Sequence, residues 1–159
     1  MTLRLRDAEA LDAGAAGAIL GACFREYPWM PVLYSGAEEI AHVGNMIEMG
    51  WVRVATGTED RGLRGFIARE AGYIHALYVA RGARGHGVGR ALMAEAMAAC
   101  DRLELRTFEA NLGARRFYRQ LGFVEVERGD GRDNDEGLAD VGLVWERRPG
   151  HQMTQGAQT

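Results

Sequence analysis

Apolar positions along this chain recur with two periods, one near two residues and one near three and a half, and they alternate in blocks. Leu3 and Leu5 between arginines predict a first strand, after which Asp7 can cap a helix with Leu11, Ala15, Ala18, Ile19 and Ala22 on its apolar face, ending near Pro28. A second helix is predicted over residues 38–49, with Ile40, Val43 and Ile47 on one side and Gly50 as its stop. Strands over 51–56 and 63–69 flank a polar turn containing Gly57, Asp60 and Gly62, and lead through Gly72 into a third strand, 73–79. Beyond a Gly-rich turn, a helix over 88–100 carries Gly89, Leu92, Met93, Ala96, Met97 and Cys100 as its inner stripe and turns Glu95 away. A short strand at 103–107, a helix at 112–121 ended by Gly122, and strands at 123–128 and 138–145 complete the pattern. Residues 149–159 have little to bury and read as a disordered tail, so one domain over 1–148 is expected, with no internal repeat or linker.

Between the first two helices, Tyr27, Trp29, Met30, Val32, Leu33 and Tyr34 make an unusually apolar connector. It either lines a pocket or plugs the space between the helices.

Composition narrows the class. With 159 residues, 47% hydrophobic and 26% charged, the chain has the size and balance of one soluble domain. A formal charge of -3 argues against broad attraction to nucleic acid or anionic membrane and favours a small or cationic partner. No apolar run approaches the roughly 18 residues a membrane span needs, and residues 1–6 lack a signal-peptide pattern, so a cytoplasmic location is expected. Cys23 and Cys100 sit among alanines, as reduced core thiols do, and His42, His75, His86 and His151 form no metal-ligand spacing with them. No metal is expected.

The candidate chemistry lies in the turn Arg81-Gly-Ala-Arg84-Gly-His86-Gly87-Val-Gly89-Arg90, between a strand and a helix. Glycines let backbone amides approach an anion, those amides are the unsatisfied donors of a helix start, and the helix dipole adds partial positive charge. A phosphate or pyrophosphate is a natural occupant, with Arg84 and Arg90 as sources of full charge. The dinucleotide GxGxxG pattern fails because its third glycine would fall on Arg90, and no GxxxxGK[ST] run exists.

Arg84-x-x-Gly87-x-Gly89 after Leu77-Tyr78-Val79 resembles the Gln/Arg-x-x-Gly-x-Gly/Ala motif of the GNAT superfamily of N-acetyltransferases. The run from Asn111 through Ala114 and Phe117-Tyr118 to Gly122-Phe123 resembles that superfamily's second motif. Coverage runs from about residue 63 to 146; earlier residues match only in the order of their elements. The resemblance implies an α/β fold: a central mixed, mostly antiparallel sheet of six or seven strands, splayed between strands four and five and flanked by helices. It also implies acetyl-CoA as co-substrate. Backbone groups of Leu77, Tyr78 and Val79 would pair with the pantetheine arm, amides of Gly85, His86, Gly87, Val88, Gly89 and Arg90 would hold the pyrophosphate, and Asn111 would hydrogen-bond the arm.

Direct transfer needs a neutral amine, an oxyanion donor and an acid for the departing thiolate. Tyr118 suits the acid's role: it follows Asn111 by two helical turns on one face, and a phenol of pKa about 10 stays protonated where a thiol of about 8.5 is leaving. The structural alternative is a half-buried aromatic with a satisfied hydroxyl. The base is less legible. Several better-known members place a carboxylate on the fourth strand, where this chain offers Tyr73 and His75; His75 could pass a proton to water or be structural, and Glu38, Glu39 and Glu70 are further candidates.

An α-amine of pKa about 7.8 is about one-tenth neutral at pH 7, against about one part in 2,500 for lysine, so the missing strong base leans toward amino acids and other weakly basic amines. The acidic stretch 130–140 is either a solvated loop or a border of the acceptor side, and lacks the EF-hand ligand spacing. The resemblance is compatible with three functions: a small-molecule or amino-acid N-acetyltransferase, a protein or peptide N-acetyltransferase, and a non-catalytic acyl-CoA-binding sensor. The expected partner is a small amine, with no nucleic acid and no membrane; a homodimer is a candidate assembly.

Overall fold

The two periodicities resolve into eleven elements in the computed structural model, which describes residues 2–148. In chain order these are β1 (Leu3–Asp7), α1 (Ala13–Glu26), α2 (Gly36–Glu48), β2 (Val52–Gly57), β3 (Leu63–Glu70), β4 (Tyr73–Val79), α3 (Val88–Ala99), β5 (Arg102–Phe108), α4 (Leu112–Gln120), β6 (Val124–Gly129) and β7 (Asp140–Glu146). The α/β class and the strand-helix order match the expectation from sequence. The expected tail, 149–159, lies outside the described residues.

The chain forms two compact units. Among the described residues, the first comprises residues 2–70 and Ile74–Glu95. Its strands run in the order β1-β2-β3-β4, with β1 antiparallel to β2 (Leu5 opposite Ala55) and β2 antiparallel to β3 (Val54 opposite Phe66). Val52, Val54, Phe66, Ala68 and Ala76 on the sheet form one core with Ala16 and Leu20 of α1 and with Val43 and Met46 of α2. Removing these side chains from water is the main force holding the layer together.

Helix α1 buries a different face from the expected one. Leu11 is 93% exposed and Ala15, Ala18 and Ala22 face solvent, whereas Ala16, Gly17, Leu20, Gly21 and Cys23 are buried. Two causes act. The helix starts late, after a 3-10 turn at Ala10–Asp12 in which Asp12 accepts from the Glu9 amide at 2.7 Å, while Asp7 stays in β1. The buried face is also rich in glycine, because α2 approaches closely: a Cβ on Gly17 would lie 2.7 Å from the Ile40 Cα. Glycines carry no hydrophobic signal, so the periodicity pointed elsewhere. Glu95 likewise does not turn away from the fold, since its carboxylate takes two bonds from the Arg53 guanidinium of β2, at 2.8 and 2.7 Å.

Among the described residues, the second unit comprises Ala71–Tyr73 and residues 96–148. Its strands follow the order β5-β7-β6, antiparallel throughout, with Leu105 opposite Leu143 and a register shift in β6 between Glu125 and Glu127. Leu103, Leu105, Phe123, Val141 and Leu143 are buried together with Tyr118. The Glu104 amide donates to the Gly72 carbonyl at 2.8 Å, and a Cβ on Gly72 would meet the Arg102 carbonyl at the same distance, so only glycine permits this approach.

Candidate functional site

Strand β4 ends, and the Gly-rich turn begins, at a point fixed by the sheet. The Ala80 amide donates to Arg64 of β3 at 2.8 Å, and a Cβ on Gly65 would lie 2.8 Å from the Tyr78 carbonyl, so this glycine lets β3 carry the end of β4 closely. A 3-10 turn, Arg81–Ala83, tucks Ala83 into the interior and releases the chain toward α3. Gly85 and Gly87 then take φ of +79° and +80°, a left-handed conformation that L side chains rarely adopt.

The first helical bond of α3 runs from the Ala91 amide to the Gly87 carbonyl at 2.9 Å. The amides of Val88, Gly89 and Arg90 therefore precede the helical ladder, and Gly87, at the cap position, has no side chain with which to satisfy them. A Cβ built on Gly82, Gly85 or Gly87 meets nothing within 4 Å. Room, open amide donors and positive helix dipole coincide there, which is what a pyrophosphate needs.

The two arginines of the turn stand differently. Arg84 is committed to the end of α1: its guanidinium grips Glu26 with two bonds, at 2.7 and 2.9 Å, and lies 3.4 Å from the Cys23 sulfur. Arg90 is exposed on the first turn of α3, as is His86 in the turn itself. Cys23 is buried, its thiol donates to the Val79 carbonyl at 3.6 Å, and burial pushes it above its ordinary pKa despite the nearby arginine. It is a protonated core thiol, as expected. Cys100 is only half-buried, with its thiol 3.5 Å from the Ala71 carbonyl. Leu77, Tyr78 and Val79 are half-buried on β4, with the Tyr78 ring edge-on to Phe24 at 5.7 Å. Neither Glu26 nor its pairing with Arg84 was singled out from sequence, because 58 residues separate the partners and no local pattern links them.

In the second unit, α4 carries the other two expected residues. Asn111 is its N-cap and accepts from the Ala114 amide through Oδ1 at 3.1 Å, a role the motif alone does not reveal. Tyr118 is 8% exposed, its ring edge-on to Phe117 and Phe123 at 5.3 and 5.6 Å. That cage fixes the phenol's direction at low conformational cost. Arg115 locks the same helix to β6 through a bidentate pair with Glu125, at 2.8 and 2.9 Å.

Each candidate base has a structural partner. Glu38 closes a capping box with Ser35, bonding its amide at 3.0 Å, and buried Glu39 pairs with Arg25 at 2.7 Å. Glu70 and His75 share a 2.9 Å bond, and the imidazole stacks on Trp51 at 4.6 Å. Four residues separate His75 from Val79, about 13 Å along an extended strand, so the imidazole belongs to the opening of β4 and not to its phosphate end. Burial raises the Tyr73 phenol above its ordinary pKa, which keeps it protonated.

In the α1–α2 connector, Tyr27 stacks on Trp29 at 4.6 Å and Met30 is buried, while Val32, Leu33 and Tyr34 are exposed. The segment is half packed and half exposed. Within the acidic stretch, Asp140 is drawn into a bidentate pair with Arg106, at 2.8 and 3.1 Å. No group of three or more His, Cys, Asp and Glu side chains among the described residues is placed to hold a metal ion, and no described helix is long and apolar enough to cross a membrane.

Comparison with known proteins bears on this geometry. A family model described as the acetyltransferase (GNAT) family matches residues 24–123. No curated protein matches the sequence. Among solved structures, Ard1 from Thermoplasma volcanium superposes with a TM-score of 0.74 at 20% identity, covering 93% of this chain and 99% of its own. Apo-form YjaB from Escherichia coli gives 0.71 at 20% identity, over 93% and 100%. The ribosomal-protein-alanine N-acetyltransferase from Brucella melitensis gives 0.69 at 20% identity, over 90% and 99%. At such identities the likeness is one of fold.

Proposed function

We propose that this chain, which belongs to the acetyltransferase (GNAT) family, moves an acetyl group from acetyl-CoA to the amine of a small molecule or amino acid by direct attack. The observation that carries the reading is the glycine-opened start of α3, with left-handed Gly85 and Gly87 and open space over both. Backbone amides from Gly85 to Arg90 hold the coenzyme's pyrophosphate, Arg90 adds charge, and the backbone of Leu77, Tyr78 and Val79 lines the pantetheine arm.

Acetyl-CoA, when bound, supplies an activated acyl thioester. The neutral amine would form the new C–N bond as the C–S bond breaks, and Tyr118 would give its phenolic proton to the departing sulfur; the surplus amine proton would pass to water, and the Tyr118 phenolate would take a proton back from that same water. The aromatic cage of Tyr118 serves this role by holding one hydroxyl direction. His75, bonded to Glu70 and stacked on Trp51, is held near the opening of β4, and in this reading water takes the amine's proton.

The engagement of Glu38, Glu39 and Glu70 in other bonds supports an acceptor that needs no strong base, such as an α-amine. Rates measured from about pH 6 to about pH 9 with amino acids and with lysine side chains test this. Faster acetylation of α-amines at neutral pH is expected, and efficient lysine acetylation at pH 7 would count against it. A protein or peptide acceptor is the second reading, favoured by the exposed rim at Val32, Leu33 and Tyr34, along which an extended chain can lie. A peptide panel separates the two. A cytoplasmic enzyme with no nucleic-acid partner fits the chain's mild negative charge.

A further inference from the structure

We infer that Glu26 is a positioning residue for coenzyme binding, and that Arg84 serves as the tether through which it acts instead of as a charge donated to phosphate. The inference deepens the proposed coenzyme reading and rests on it. A turn with glycines at 82, 85 and 87, two of them left-handed and all three open on the Cβ side, has little local preference for one conformation. Something outside the turn must hold its amides in a convergent arrangement.

The last turns of α1 are placed to do so at both edges of the junction. Cys23 bonds the carbonyl of Val79, the final residue of β4, and Glu26 grips Arg84 with both carboxylate oxygens. A bidentate guanidinium–carboxylate pair fixes orientation as well as distance. Ala83, beside the tether, is buried, so the turn is pinned on its inner side while Gly85 to Gly87 stay open outside. The same pairing commits the Arg84 charge: a guanidinium with Glu26 on one flank and the Cys23 sulfur on the other has its charge largely answered. Backbone amides, not this side chain, then carry the anion.

The two roles for Arg84 differ in sign. If Arg84 contacts phosphate and Glu26 merely competes for it, Glu26→Gln frees the guanidinium and tightens coenzyme binding. If Arg84 is a tether, the same change loosens the turn and weakens binding. Glutamine is isosteric and the site is partly exposed, so the variant folds.

The experiment compares wild type and Glu26→Gln by calorimetry with coenzyme A, by steady-state kinetics, and by hydrogen exchange of the coenzyme-free proteins. We expect the Kd for coenzyme A to rise about two- to fivefold, the scale of a partly exposed ion pair. The KM for acetyl-CoA should rise with it, by more than kcat falls, and the amides of Gly85 and Gly87 should exchange faster without coenzyme. An unchanged or lower Kd, or unchanged exchange in the turn, overturns the inference; a purely stabilising pair would lower Tm and leave Kd alone. Failure of the wild type to bind coenzyme A strikes the proposed site itself, and the exchange comparison in the free protein still decides whether Glu26 holds the turn.

Discussion

Helix α3 begins after Gly87, which has no side chain to cap its first amides, whereas α4 begins at Asn111, whose Oδ1 already takes the Ala114 amide at 3.1 Å. Both starts belong to motifs that resemble one family, yet they solve opposite problems. The α3 start has no side-chain cap of its own, and the turn before it is bonded to α1 through Glu26 and Arg84. The α4 start satisfies its own donors and presents one side chain, Tyr118, inside a rigid aromatic cage. On the proposed reading, binding is a backbone function and proton transfer a side-chain function, and the two should fail separately under mutation.

The largest effect is expected at the open start. Gly87→Val forces a β-branched residue to φ +80° and fills the space an anion would take. Coenzyme binding should fall by at least about a hundredfold in calorimetry, with Tm changed far less. Retained binding would show that the glycine is a connector only.

Next in size is the side-chain function. Tyr118→Phe keeps the ring packing and removes the proton, so kcat should drop about a hundredfold while KM for acetyl-CoA stays within about twofold. Equal loss in binding would mean that the phenol holds the coenzyme and does not serve as the acid.

A smaller effect separates the two helix starts directly. Asn111→Ala removes the cap and should cost about 1 kcal/mol in denaturant unfolding, while Asn111→Ser, which keeps a capping oxygen, should recover most of it. If Asn111→Ser is stable yet binds coenzyme poorly, the residue's main role is the arm contact implied by the resemblance.

The smallest effect is expected at His75. Anchored by Glu70 and Trp51 near the opening of β4, it should tolerate His75→Gln with less than about twofold change in kcat for α-amine acceptors across the pH profile. A lost alkaline or acidic limb in that profile would instead establish it as the proton relay.

What could be read in the sequence follows from the same contrast. Strand β4 and the helix starts at Val88 and Leu112 fall where glycine spacing and apolar period place them, because both signals are local. The face of α1 was misread because its close packing on α2 needs Gly17 and Gly21, residues that hydrophobicity cannot flag. Glu95, Glu26 and Arg84 illustrate a second limit: their partners lie 42 and 58 residues away, and pairings at that range are set by topology and leave no periodic trace. The left-handed glycine turn was legible because backbone conformation constrains residue type. The amine side was not, since Glu38, Glu39 and Glu70 look alike in sequence and differ only in whom they meet.

The central claim is that the chain transfers acetyl from its coenzyme to an amine. Acetyl-CoA thiol release against a broad amine library, with the N-acetyl product identified by mass, tests it most directly. Amine-dependent thiol release, strongest with α-amines and lost in Tyr118→Phe, is the predicted result; tight coenzyme binding with no amine-dependent release across the library would contradict it and leave an acyl-CoA sensor.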